Sequence, residues 1–235
     1  MRIAMWSGPR NLSTAMMYAF AARGDCAVWD EPFYAPYLKA TGLDHPMAAE
    51  IMAAHETDAY RVAAACAGPI PGGKPHFYMK HMPHHMLDGF PTGWFDDCVH
   101  VHLIRHPARV IASYAAKREA PVAEDIGYAQ QLALHRRIGG IVIDSHDIRD
   151  DPETMLKRLC GAIGLPFSTA MLHWPAGGRP EDGIWARHWY GAVHQSRGIA
   201  GAEGPLPQLS GDYANLCQTV LPAYEAMKAR ALKSQ

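Results

Sequence analysis

The residues able to do chemistry begin almost at the first position. Ser7-Gly8-Pro9-Arg10-Asn11-Leu12-Ser13-Thr14 follows a short apolar run and leads straight into a helix-forming segment at 15–23. A strand, a tight turn with an arginine and two hydroxyls, and a helix start bring together unpaired amides, a positive dipole end and a guanidinium. Such a cradle binds anions, phosphate above all. A second unit of the same kind runs from Val99 to Ile104 and on through Arg105-His106-Pro107 to Ser113. Pro107 suits a first helical position, and Arg105 stands at the strand exit. Two arginine-bearing exits imply a ligand with two separate phosphate groups.

These groups need elements to hold them. Apolar runs of strand length occur at residues 2–7, 25–30, 76–80, 98–104 and 140–144. Helical segments alternate with them at 12–23, 46–68 (interrupted), 107–118, 124–138 and 152–163. The last is punctuated by Asp151 as cap, Pro152 at the first position, and Gly164 and Pro166 beyond its end. The alternation predicts a three-layer α/β fold, P-loop-like, with a central, mostly parallel sheet of about five strands and helices on both faces. Ligands of such folds bind beyond the carboxyl ends of the strands, where the polar clusters fall. A helical insert is expected at about 36–70. The stretch at about 175–209 is irregular, rich in Gly, Pro, Trp and His, and reads as a functional loop region.

Composition narrows the classes. The 235 residues suit a single domain, and 49% apolar with 19% charged residues describes an ordinary globule. A formal net charge of −1 gives no field for nucleic acid or an anionic membrane, and near-neutrality weakly favours self-association, with a homodimer as the candidate form though the charge is no evidence of one. No apolar stretch approaches membrane-spanning length. The five cysteines, Cys26, Cys66, Cys98, Cys160 and Cys217, include no close pair, which fits reduced thiols. The anion loop follows so directly on Met1 that no signal peptide is expected, and the expected location is cytoplasmic.

Taken together, the motifs resemble those of sulfotransferases that use 3′-phosphoadenosine 5′-phosphosulfate. Pro9, Arg10, Asn11, Leu12, Ser13 and Thr14 occupy the place of that family's 5′-phosphosulfate loop, with Leu12 where many members carry glycine. Arg105, Pro107 and Ser113 match the spacing of its 3′-phosphate motif. Arg179, Gly183 and Trp185 resemble its late Gly-x-Trp element. The resemblance implies a sulfuryl transfer to a hydroxyl or amine of a small soluble acceptor, leaving 3′,5′-adenosine bisphosphate. It implies that Arg10 neutralises the leaving phosphate, and that Glu31 or His81 serves as base. Glu31 follows the second strand, where several branches of the family place a glutamate. His81 follows the third strand and resembles a Lys-Thr-His motif one residue short.

Two other readings compete. A P-loop kinase needs a second glycine and a lysine in the first loop, and both are missing, although Asp144 at a strand end imitates a magnesium-holding acid. A non-catalytic protein could bind a nucleotide bisphosphate with the same loops. Sulfuryl transfer carries less negative charge than phosphoryl transfer, so cations and amides suffice and no metal is required. His81, His84 and His85 lack further ligands at fitting spacing, and Pro83 interrupts them. His100 and His102 alternate onto one strand face and read as packed core.

Overall fold

The computed structural model describes residues 1–116 and 121–233. At its centre are five strands: β1 (Arg2–Ser7), β2 (Cys26–Asp30), β3 (His76–His81), β4 (Cys98–Ile104) and β5 (Ile141–Asp144). They lie in the order β2-β3-β1-β4-β5. Every pairing between them is parallel, and β1 is central, with Ile3 opposite both Tyr78 and Val99. The expected three-layer α/β architecture is present, its sheet wholly parallel.

Parallel strands require both faces covered, and the alternation along β1 supplies apolar side chains to each. Ile3 and Met5 join Met16 and Phe20 of α1 (Ser13–Ala22) and Met155 and Leu159 of α9 (Pro152–Ile163). Ala4 and Trp6 turn the other way, towards Val62, Phe77, Met79, Trp94 and Phe95. Helix α1 carries no β-branched residue after Thr14 and is buried over most of its length, as befits a helix pressed against the sheet. Helix α9 starts where Asp151 accepts the Thr154 amide at 3.0 Å and stops at Gly164, whose φ is 74°.

The segment between β2 and β3 forms α2 (Tyr34–Thr41), α3 (Ala48–Ala54) and α4 (Ala59–Ala67). The insert therefore begins two residues before the expected 36. The interruption expected within 46–68 falls at His55, after which Asp58 caps α4 by accepting the Tyr60 amide at 2.8 Å. Helix α5 (Pro107–Ala115) opens at Pro107; Lys117 and Arg118, expected to end it, lie outside the described residues. The span 124–138 is divided at Gly127, φ 69°, into α6 (Ala123–Ile126) and α7 (Tyr128–Ile138). Helix α8 (Ser145–Asp150) follows β5 directly.

The irregular late region holds two single-turn helices, α10 (Ala186–Trp189) and α11 (Gly191–His194). After it comes α12 (Gly211–Lys228), which the sequence pattern did not announce. Pro222 stands inside it and its apolar residues are scattered, so helical periodicity is faint. Its docking is specific nonetheless: Tyr224 donates to Asp144 at 2.8 Å and Lys228 to Asp147 at 2.7 Å. Among the described residues no helix is long and apolar enough to cross a membrane.

Candidate active site

The turns after β1, β2, β3 and β4 open onto one cavity of about 350 Å³ at the carboxyl ends of the strands. β1 and β4 are neighbours although β2 and β3 intervene in sequence, so the chain order reverses across them, the usual location for a ligand crevice. Pro9, Arg10, Asn11, Leu12, Ser13, Thr14, Glu31, Arg105, Ser113 and Trp185 all line this space.

At the anion end the loop backbone is unusual. Arg10 and Leu12 both have positive φ, 62° and 74°, with Asn11 between them outside that region. Alternation of this kind curves successive amides round a concavity suited to an anion. Leu12 thus adopts the left-handed conformation for which a glycine is favoured, at a cost of about 1 kcal/mol. Gly8 is needed for a different reason: a Cβ there would collide with the Ile126 carbonyl of α6. Asn11 ties the loop to β4 by donating to the Leu103 carbonyl at 3.3 Å.

The two arginine exits meet. Arg105 donates to the Arg10 carbonyl at 2.7 Å, and Arg10 Nε donates to Ser113 Oγ at 3.0 Å. Burial, and then the Arg105 cation, work against the Arg10 charge and lower its pKa. Arg105 also ion-pairs with Glu203, as do Arg109 and Arg149. Two half-buried guanidiniums held this close in a cavity favour an anionic ligand between or beside them.

The other end is built on a buried charge cluster. Lys80 Nζ lies 2.8 Å from Asp30 Oδ1 and 2.5 Å from Glu31 Oε1, and donates to Tyr190 at 2.7 Å. Burial opposes the Lys80 ammonium, but Asp30 and Glu31 outweigh it and hold its pKa high. Burial is also the main influence on Glu31, and the Lys80 charge only partly offsets it, so the carboxyl titrates above its ordinary range. Glu31 has φ 42°, a strained value that turns the chain sharply out of β2 and into the cavity. With Oε1 on Lys80, Oε2 stands 4.0 Å from His85 Nδ1. His85 is stacked between Tyr34 and Tyr37, ring centroids 4.7 and 4.8 Å away, and burial keeps it neutral.

Three expected site residues lie elsewhere. His81 does not line the cavity: side chains alternate along β3, so Lys80 faces the cavity layer and His81 the opposite one. There its ring packs 4.7 Å from Trp6 and 4.8 Å from Trp94, and burial drives its pKa down to about 3. The period-two pattern contained this information. Arg179 is also outside the lining, paired with Glu181 at 3.2 Å. Gly183 supports the site without lining it: its amide donates to Asp30 at 3.2 Å, and a Cβ would strike the Trp185 ring. Trp185 in turn donates to Tyr190 at 3.0 Å. Asp144, the candidate magnesium ligand, is fully buried and engaged by Tyr224, Lys228 and the His146 amide.

Lys80, Arg149 and Glu203 join the site without having been singled out from the sequence, His85 was weighed there only as a metal ligand, and Tyr190 belongs to the late stretch read as a functional loop. Lys80 is adjacent to His81, which was singled out, whereas Arg149 and Glu203 arrive through long-range contacts that spacing does not encode.

The model of a sulfotransferase domain matches residues 1–231. Two curated proteins of Arabidopsis thaliana, branched-chain-amino-acid aminotransferase-like proteins 1 and 2, are 34% and 33% identical over 99% and 96% of this chain. The matches cover 42% and 41% of those proteins, so the chain spans about two-fifths of their length. Among solved structures, the sulfotransferase domain of a Synechococcus olefin synthase has a TM-score of 0.56 at 18% identity, covering 94% of each chain. The sulfotransferase domain of the curacin biosynthetic pathway gives 0.57 at 14%, covering 93% of this chain and 96% of that one. At such identities the structural likeness concerns the fold.

Proposed function

This chain belongs to the sulfotransferase domain family, and on that basis we propose that it transfers a sulfuryl group from 3′-phosphoadenosine 5′-phosphosulfate to a hydroxyl or amine of a small soluble acceptor. The observation that carries the reading is the joined pair of arginine exits. Arg105 and Ser113 after β4 are hydrogen-bonded to Arg10 after β1, on the same cavity as Glu31. Two arginine-bearing exits on one cavity suit a nucleotide with phosphates on two positions of its ribose.

In this reading the 5′-phosphate rests on the curved loop and the start of α1, with Ser13 and Thr14 donating to it. Arg105 and Ser113 take the 3′-phosphate. The acceptor oxygen or nitrogen forms a bond to sulfur while the bond from sulfur to the 5′-phosphate oxygen breaks. The proton passes to Glu31, and Arg10 meets the charge that develops on the leaving phosphate. Glu31 has one oxygen engaged by Lys80 and the other turned towards His85, so Oε2 is the oxygen available for the proton. Asp144, tied up away from the cavity, gives the kinase reading no magnesium ligand there.

Thermal shift with three ligands tests the donor. 3′,5′-Adenosine bisphosphate without metal is expected to raise the melting temperature well above the effect of 5′-AMP or magnesium-ATP, and Arg105→Ala to abolish the difference. Equal shifts from the bisphosphate and 5′-AMP would remove the role given to Arg105 and Ser113, and a magnesium-ATP preference would restore the kinase.

A further inference from the structure

Arg105, proposed to receive the second phosphate, already pairs with an anion supplied by the chain itself, which Arg109 and Arg149 share. Glu203 Oε1 pairs with Arg105 and with Arg149 Nη1 at 3.0 Å, and Oε2 pairs with Arg109 Nε at 3.0 Å. Its side chain is only 3% exposed. The flanking backbone is held too: Arg149 Nε donates to the Gly201 carbonyl at 2.9 Å, and Arg109 to that of Gly204. Residues 199–210, which carry Glu203, form neither helix nor strand.

A carboxylate and a phosphate monoester ask for the same things, planar forks of N–H donors and positive charge. Three guanidiniums against one carboxylate leave a surplus of positive charge that a dianion satisfies better than a monoanion. We propose that Glu203 is an internal competitor for the 3′-phosphate, seated on Arg105, Arg109 and Arg149 in the empty protein and displaced when a 3′-phosphorylated nucleotide binds. The idea rests on the donor reading given above and adds to it a residue that sets how strongly the second phosphate is felt. A ligand lacking that phosphate leaves Glu203 in place and is indifferent to it. One that has the phosphate must first break three ion pairs, so its affinity is reduced by the strength of the internal contact. The reverse step helps release of the bisphosphate product, because the returning carboxylate replaces the departing phosphate on the arginines.

Calorimetric titration of the wild-type chain and Glu203→Gln with 3′,5′-adenosine bisphosphate and 5′-AMP tests this. The neutral isostere is expected to bind the bisphosphate about tenfold more tightly or better, the scale of a buried charge contact removed from competition. Binding of 5′-AMP should stay within about threefold of wild type, since it does not engage the triad. Glu203→Asp keeps the charge with a shorter reach and should give an intermediate gain, which preserves the test if the amide variant folds poorly. Unchanged or weaker bisphosphate binding in folded Glu203→Gln overturns the proposal; weaker binding would mean that the carboxylate shapes the arginines for the phosphate. If neither wild type nor variant distinguishes the two nucleotides, the donor reading itself falls.

Discussion

Glu31 concentrates the residue-scale chemistry. Its carboxyl is raised above the ordinary glutamate range by burial, with Lys80 pulling the other way. A base must be ionised to accept a proton, so turnover should rise with pH as this group loses its own. The acid limb of kcat/KM is therefore expected above the ordinary glutamate value of about 4.3. Glu31→Gln should lower turnover by roughly 10²- to 10⁴-fold with bisphosphate affinity retained. Sulfate transfer to a panel of phenols, alcohols and amines, followed across pH, measures both. A variant with full turnover would dismiss Glu31 as base. The neighbouring histidines teach a related lesson. Lys80 and His81 are adjacent in sequence and face opposite layers, so a motif read by position alone placed the ring on the wrong side of the sheet. His85, four residues on, is the histidine that reaches Glu31.

Among the elements, those with local causes were legible. All five strands were found to within a residue or so, because buried parallel strands are short apolar runs bounded by turn residues. Helix α9 was legible to the residue through its cap, its proline and its terminal glycine. Helix α12 was not, since Pro222 and scattered apolar positions blur its period and its place is settled by distant partners. Those partners can be weighed. Asp144 is fully buried at the end of β5, and Tyr224 is one of its few means of satisfaction. Tyr224→Phe is expected to cost about 1–3 kcal/mol, the penalty for stripping a donor from a buried carboxylate. Urea denaturation would show it as a lowered midpoint at constant slope. An unchanged midpoint would mean that Lys228 and the His146 amide suffice to hold the carboxylate.

For the whole molecule, the telling feature is how many histidines are buried without charge. His81 and His102 are driven down to about 3 and His85 well below its ordinary value, burial being the main cause each time. The sign follows from linkage. The unfolded chain takes up these protons near pH 6.5 and the folded chain does not. Stability is then fully present above pH ~6.5 and drains away as pH falls towards the folded-state values. Each histidine contributes a slope approaching ~1.4 kcal/mol per pH unit in that window. Three acting together would exhaust an ordinary domain's reserve within about two units, so cooperative unfolding is expected near pH ~5. Circular dichroism melts from pH 7.5 downward would follow it; a melting temperature flat to pH 4.5 would contradict the burial of these rings.

The cavity also has a division of labour in its masonry. Arg10 and Arg105 come from the turns after β1 and β4 and Ser113 from α5, whereas Tyr34, Tyr37, His45, His84 and His85 come from the segments that flank β3 in the chain. Glu31 and Lys80, with Tyr190 fastened across them, line the same cavity between the two groups. In the proposed reading the arginine half holds the donor and leaves the aromatic half to the acceptor. A lineage, or an engineer, could therefore redraw the aromatic half to admit a new molecule while leaving the arginine half untouched. The cheapest route to a different specificity lies in editing residues 34–45 and 84–85 around a fixed Glu31–Lys80–Tyr190 seam.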